Sequence, residues 1–268
     1  MASAPLSSAP AIPDRRGVTG APGLRSEGVR EPTDIDWSVP VAVFPLPSVS
    51  LLPHALQPLH VFEQRYRRMV RDALGDAESS PLSESAPVAM AAFDGDAWRT
   101  DYAGTPPLRP IVCVGRIVRH VPLADGRHDI VLHGVARARI ARMVEPAAGR
   151  PYRMALLEPV PDVRRSEACV RRACDVVGSI LERPRMSRWS AAAPVRSLFD
   201  GSVPSCAALG MASHAMIRDP DRRYALLAEP DPCRRACIVR AALLELERLV
   251  ALAERQGSDG WPKGQSWN

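Results

Sequence analysis

The stretch Val41–Leu74, VAVFPLPSVSLLPHALQPLHVFEQRYRRMVRDAL, decides how the rest of the chain is read. It opens apolar and β-prone. Val41, Val43 and Phe44 suit a half-buried strand, and Pro45 and Pro47 are expected to end its regular pairing. A proline-bounded loop carrying Leu51 and Leu52 follows, and apolar character returns at Leu59, Val61 and Phe62. From Glu63 the period changes. Tyr66, Met69, Val70 and Ala73 fall at i, i+3, i+4 and i+7, one face of a helix, and Gly75 stands where that helix should stop. Glu63 suits the helix N-terminus and is placed to meet an arginine. Two strands joined through a proline loop and closed by a helix is the local expectation.

Upstream, residues 1–36 are rich in Ala, Pro, Ser, Gly and Arg with no apolar period, and read as a disordered tail. Downstream, Val88–Phe93 and Ile111–Val121 read as strands. Asp125-Gly126 reads as a type I′ hairpin turn, which needs positive φ at both central residues. Ile130–Leu132, Val135–Val144 and Tyr152–Val160 complete a set of short strands suited to a small barrel or sandwich. Strand signals vanish after Pro159–Asp162. Glu167–Leu181 reads as a helix with Cys169, Ala173, Val176, Val177 and Ile180 on one face, Glu182–Pro204 as a proline-punctuated connector, and Ser205–Ile217 as a second helix. Asp219–Leu227 is a helical turn region. Asp231 caps a last helix with Pro232 at its first position, and Val239, Leu243, Leu246 and Leu249 belong to an apolar stripe running towards Arg255. The expected organisation is α+β: a β domain over 37–161, a helical part over 162–256 and a flexible tail over 257–268.

Composition excludes several functions. With 268 residues the chain can bury a sizeable core. It has no apolar run long enough for a helical membrane span and no secretory h-region, so a cytoplasmic location is expected. The net charge of +5 is dispersed, and Lys263, near the end, is the sole lysine. That leaves no lysine for a phosphate-binding loop or a Schiff base. No serine sits in a nucleophile elbow. The pairs His54/His60 and His128/His133 lack metal-ligand spacing, and the six cysteines form no C-x-x-C pair. No enzyme activity, cofactor or metal is expected, and the cysteines should be reduced and buried.

Phe44-Pro45-Leu46, the leucine–proline loop and Pro58–Tyr66 (PLHVFEQRY) are followed in order by Cys113–Ile117 (CVGRI), Ala124–Arg127 (ADGR) and Leu132–Arg137 (LHGVAR). Together these resemble the N-terminal substrate-binding domain of Lon-type ATP-dependent proteases. Met211–Ala215 and Leu226–Asp231 resemble its helical half. The resemblance implies a PUA-like β pseudobarrel followed by a C-terminal α-helical bundle. It also implies a non-catalytic module that binds unfolded or apolar polypeptide segments, related to proteolysis, with protease or chaperone machinery as partner. The protease active site of that family resembles a Ser-Lys dyad, and no internal lysine could serve, so a stand-alone member without motor or peptidase is expected. For Gly134 and Arg137 the expectation is a hairpin exit and an arginine paired within the barrel.

Two adjacent leucines in an extended loop cannot easily both face one core, so Leu51 and Leu52 are candidates for the polypeptide-binding surface. Met90 and Trp98 could extend it, since Met and Trp suit adaptable apolar binding. Replacing both leucines by serine should then abolish capture of an unfolded protein without unfolding the module. The competing expectation is that all four side chains plug the barrel mouth. An RNA-binding barrel is the alternative function, with an arginine-rich run over Val163–Trp189 in its favour. Aromatic residues make up only 5% of the chain, mostly at apolar positions, which disfavours nucleic acid.

Overall fold

The computed structural model describes residues 35–47, 50–75, 82, 85–102, 104–188 and 192–255. The tails expected over 1–36 and 257–268 lie outside them, apart from Ile35 and Asp36. Strands β1 (Val41–Leu46), β2 (Leu56–Val61), β3 (Val88–Ala92), β4 (Ile111–Pro122), β5 (His128–Val144) and β6 (Met154–Pro159) form one sheet in the order β2-β5-β4-β3-β1-β6. β6 also pairs with β5, so β1, β3, β4, β5 and β6 close into a ring. β5 makes this possible by its length. Its residues 128–133 pair with β2 and its residues 138–144 pair with β6. It is one continuous strand of 17 residues rather than the two shorter ones read from the sequence.

Successive side chains of a strand point to opposite faces, and in β1, β3 and the start of β4 both faces are covered. Val41, Val43, Ala89, Ala91, Val112, Val114, Ala138 and Ala155 form one cluster. These are small side chains, as the inside of a narrow ring requires. Ala42, Phe44, Val88, Met90, Ile111 and Cys113 face the other way into a larger cluster shared with the helices. Burial on both faces explains why β1, β3 and the start of β4 read as unbroken apolar runs. Helix α1 (Gln64–Leu74) packs there through Tyr66, Met69, Val70 and Ala73, the face read from the sequence, and Gly75 ends it at φ 62°.

β1 runs on through Pro45, which stands in register with Ala91 of β3. The Val43 N–H points towards β6, bonding to Arg153 at 2.9 Å, so the N–H that Pro45 lacks would point the same way. β6 pairs only with Val41 and Ala42, so Pro45 removes no sheet bond. The Asp125-Gly126 turn is also not type I′. Gly126 has φ 77°, but Asp125 does not have positive φ. The Gly126 N–H bonds to the Leu123 carbonyl and the Leu123 N–H to the Arg127 carbonyl, a type I turn followed by a left-handed glycine.

After the ring come α2 (Glu167–Leu181), α3 (Pro184–Ser187), α4 (Ala192–Arg196), α5 (Ser205–Met216), α6 (Pro220–Ala228) and α7 (Pro232–Arg255). The Glu182–Pro204 connector thus contains two short helices. Their prolines lie in first turns, where no helical N–H bond is lost, and Met186, Ala192 and Val195 bury against the core. The buried face of α2 is Val170, Cys174, Val177 and Leu181 together with Ile180, while Val176 is exposed; the expected face is rotated because α2 packs against both α5 and α7. On α7 burial stops at Leu243. Leu246 is half-buried and Leu249 is 56% exposed, so the last turns of the stripe are not core. All six cysteines are free thiols, but only Cys113 and Cys174 are buried, and Cys237 is exposed. No helix among the described residues is long and apolar enough to cross a membrane.

The two halves share one core and one ion cluster. Arg137 on β5 reaches out of the ring, where Nε donates to the Leu227 carbonyl at 3.0 Å and a terminal nitrogen to Asp162 Oδ1 at 2.6 Å. Arg235 on α7 donates to both oxygens of the same carboxylate, at 3.0 and 2.6 Å. Both guanidinium groups are buried. The expectation of an arginine paired within the barrel is therefore corrected: Arg137 clamps the ring to the helices. Gly134 is likewise no hairpin exit. Its N–H and carbonyl bond to Ala55 and His54 at 2.9 and 2.8 Å, so the 51–55 loop lies directly on β5. A Cβ at Gly134 would run into the Leu52 carbonyl oxygen. Gly134→Ala is expected to cost about 2–3 kcal/mol through that backbone collision, read as a lower urea midpoint; a midpoint equal to wild type would show that the loop can lift away.

Candidate functional site

Three of the four residues singled out for binding are in the core. Leu51 is 0%, Leu52 2% and Met90 1% exposed. Both leucines are buried because the loop is itself sandwiched. Gly134 and Gly115 of the strands lie against one side of it, with Leu51 Cδ2 close to Gly115, and Gly210 of α5 lies against Pro53 on the other. His54, at φ 67°, lets the chain turn between these layers. Met90 belongs to a strand covered on both faces. In this fold all three side chains are sealed from solvent.

Trp98 is different. It lies half-buried on a 3-10 turn, Ala97–Arg99, set up by Asp94-Gly95-Asp96 at the end of β3. Its ring stacks on Phe93 at 5.7 Å and 13° and meets Tyr102 edge-on at 6.4 Å. The Arg99 guanidinium sits 5.1 Å from the indole centroid. Tyr102 continues the row. Its hydroxyl donates to Glu63 Oε1 at 2.9 Å, and Arg65 lies over its ring at 4.9 Å while bonding to Glu63 Oε2 at 3.0 Å. Burial, and then the hydrogen bond to Glu63, push the Tyr102 hydroxyl up to about 12, so it stays a neutral donor. Glu63 meets its arginine as expected, yet it does not cap α1 with its side chain.

This aromatic row separates two hollows. On the Trp98 side a cleft of about 280 Å³ lies between the ring and α6, walled by Phe93, Pro47, Arg109 and Asp221. Arg109 spans it, donating to Asp221 at 2.6 Å and lying 4.7 Å over the Tyr224 ring. On the Tyr102 side an open groove of about 790 Å³ runs past Glu63 and past Arg65, Arg68 and Arg71 of α1. The row therefore offers flat apolar faces flanked by both signs of charge and by hydrogen-bonding groups. A second apolar surface runs along α5–α7, with Ile217, Leu246 and Leu249 around a hollow of about 280 Å³. Among the described residues no group of three or more His, Cys, Asp or Glu could hold a metal ion. Tyr102 and Arg109 escaped the sequence reading because they lie in a proline-punctuated connector without period. The aromatic spacing Phe93, Trp98, Tyr102 is the one local signal that could have pointed to the row.

The family model for the ATP-dependent protease La (LON) substrate-binding domain matches residues 40–243, and the chain belongs to that family. Among solved structures it is similar to a Lon N-terminal domain protein from Xanthomonas campestris, at 24% identity over 80% of this chain and 98% of that one, with a TM-score of 0.47. It is also similar to the N-terminal domain of Mycobacterium avium complex Lon protease, at 14% identity over 77% and 99%, with a TM-score of 0.48. No curated protein matches the chain.

Proposed function

We propose that the chain is a non-catalytic module that binds unfolded or apolar polypeptide segments along the row from Trp98 to Tyr102. The supporting observation is the family match, which is to a substrate-binding domain and spans both the ring and the helices that wall the Trp98 cleft. Flat aromatic faces beside hydrogen-bonding groups suit a ligand of variable sequence, because contact area carries affinity while polar groups serve the peptide backbone. The same reading gives protease or chaperone machinery as the partner, a cytoplasmic location and no cofactor. Lys263 as sole lysine fits a role without phosphate transfer or Ser-Lys chemistry.

Trp98→Ser tests it. Anisotropy of a fluorescein-labelled, reduced and carboxymethylated protein is expected to show Kd raised at least about fivefold, near 1 kcal/mol. The Tm should stay within a few degrees, because Trp98 is only half-buried. Leu249 and Leu252 are both exposed on α7, and unchanged Kd with loss of binding in Leu249→Ser plus Leu252→Ser instead would move the site there. Displacement of the labelled protein by a single-stranded RNA oligomer, with steep salt dependence, would favour the RNA-binding alternative.

A further inference from the structure

Cys169 and Cys233 carry an arrangement that the binding function does not use. Cys169 lies in the first turn of α2 and Cys233 in the first turn of α7, and their Sγ atoms stand 3.3 Å apart. Both are half-buried, so a small reagent can reach them. The surrounding backbone is held from several sides. Ser166 caps α2, its Oγ accepting from the Cys169 N–H at 3.3 Å. Asp231 caps α7 through the Cys233 N–H at 2.9 Å and pairs with Arg165 at 2.5 Å. The Val163 N–H bonds to the Pro230 carbonyl at 3.0 Å. Two thiols on independently anchored helix starts are thus already in contact, and a disulfide requires their sulfurs to close by about 1.2 Å more, to about 2.05 Å. Two adjacent sulfurs that belong to no group of three or more metal-ligating side chains among the described residues suit oxidation.

We infer that Cys169 and Cys233 form a reversible disulfide by exchange with a low-molecular-weight disulfide. One thiolate attacks the small disulfide, forming a mixed disulfide and expelling one small thiolate. The second protein thiolate attacks the bonded protein sulfur, closing Cys169–Cys233 and expelling the other. The protein loses two hydrogens and one small disulfide becomes two thiols, so atoms and electrons balance. The new bond ties the first turn of α7 to that of α2, beside the segment that carries Asp162 to the Arg137–Arg235 clamp. Burial, and then the Cys169 thiol at hydrogen-bond distance, push the Cys233 thiol up to about 11. Its thiolate fraction rises with pH up to that value, so if Cys233 makes the attack, closure is faster at pH 8.5 than at pH 7.

The full chain is incubated with oxidised glutathione, and the non-reduced tryptic digest is read by mass spectrometry. Trypsin isolates Cys169 in residues 166–171, Cys233 in 224–234 and the exposed Cys237 in 236–240, so each linkage has its own mass. The expected product is 166–171 joined to 224–234, two hydrogens lighter than their sum and reversed by dithiothreitol. It should form with Cys237→Ser and be absent with Cys169→Ser or Cys233→Ser. Closure should raise the Tm by about 5 °C or more, since the loop it closes is long and the native sulfurs are already adjacent. Glutathione adducts on Cys237 without the linked peptide overturn the inference. So does a linked form that melts lower than the reduced protein, because the native fold would then not accommodate the bond.

Discussion

Leu51→Ser combined with Leu52→Ser is expected to unfold the protein. Each leucine is sealed between the strand ring and the helices, at 0% and 2% exposure. Truncating a sealed leucine costs about 3 kcal/mol or more in transfer and cavity terms, and a buried serine adds an unpaired hydroxyl. Even with some sharing between neighbours, the pair costs about 6–8 kcal/mol, against a net stability on the order of 5–15 kcal/mol for a domain. Circular dichroism should show loss of the cooperative thermal transition, or a Tm lowered by more than about 12 °C. Loss of polypeptide capture in this variant would then report unfolding, not a lost contact. A melt within a few degrees of wild type would mean that the loop leaves the core in solution, and would restore both leucines as binding candidates.

The contrast between α1 and this loop shows what a one-dimensional pattern can carry. Tyr66, Met69, Val70 and Ala73 are buried as their spacing requires, because one helix face meets one layer. Asp231 and Pro232 start α7 as read, since capping is local chemistry. The 51–55 loop has no period because it has a layer on each side, and its burial is decided by glycines at 115, 134 and 210, distant in sequence. The same distance hides the ring: its closure depends on β6 reaching both β1 and β5, a pairing that no local signal announces. The stripe on α7 fails in the opposite sense. Its period persists past Leu243, but among the described residues Leu246 is only half-covered and Leu249 is exposed. The family signature located Gly134 and Arg137 but not their roles, because both act on segments distant in sequence, Gly134 on the 51–55 loop and Arg137 on Asp162 and Leu227. Of the candidate site, Trp98 was legible as an aromatic after a turn, whereas the cleft beside it needs Asp221 of α6, more than a hundred residues later.

Removal of the Asp162 carboxylate is the second change with a large expected effect. That group is the shared acceptor of Arg137 and Arg235, whose side chains are only 8% and 7% exposed. In Asp162→Ala both guanidinium groups keep one carbonyl each, Leu227 and Glu229, but face one another without a counter-charge. Breaking a buried pair from one side costs about 3–5 kcal/mol. The low end applies here, because the Asp162 side chain is 36% exposed and water can partly replace it. At about 2–4 °C per kcal/mol for a domain of this size, the Tm should fall by about 6–12 °C. The segment after β6, residues 160–166, should become a new site of limited proteolysis, absent in wild type, as the helices loosen from the ring. The triple change Arg137→Met, Asp162→Leu and Arg235→Met removes all the charges together and should melt close to wild type or above it, since the desolvation of three ions disappears along with their attraction. If Asp162→Ala and the triple variant fall equally, the three residues matter through packing volume and not as an ion clamp. If neither falls, the shared hydrophobic core alone holds the helices to the ring.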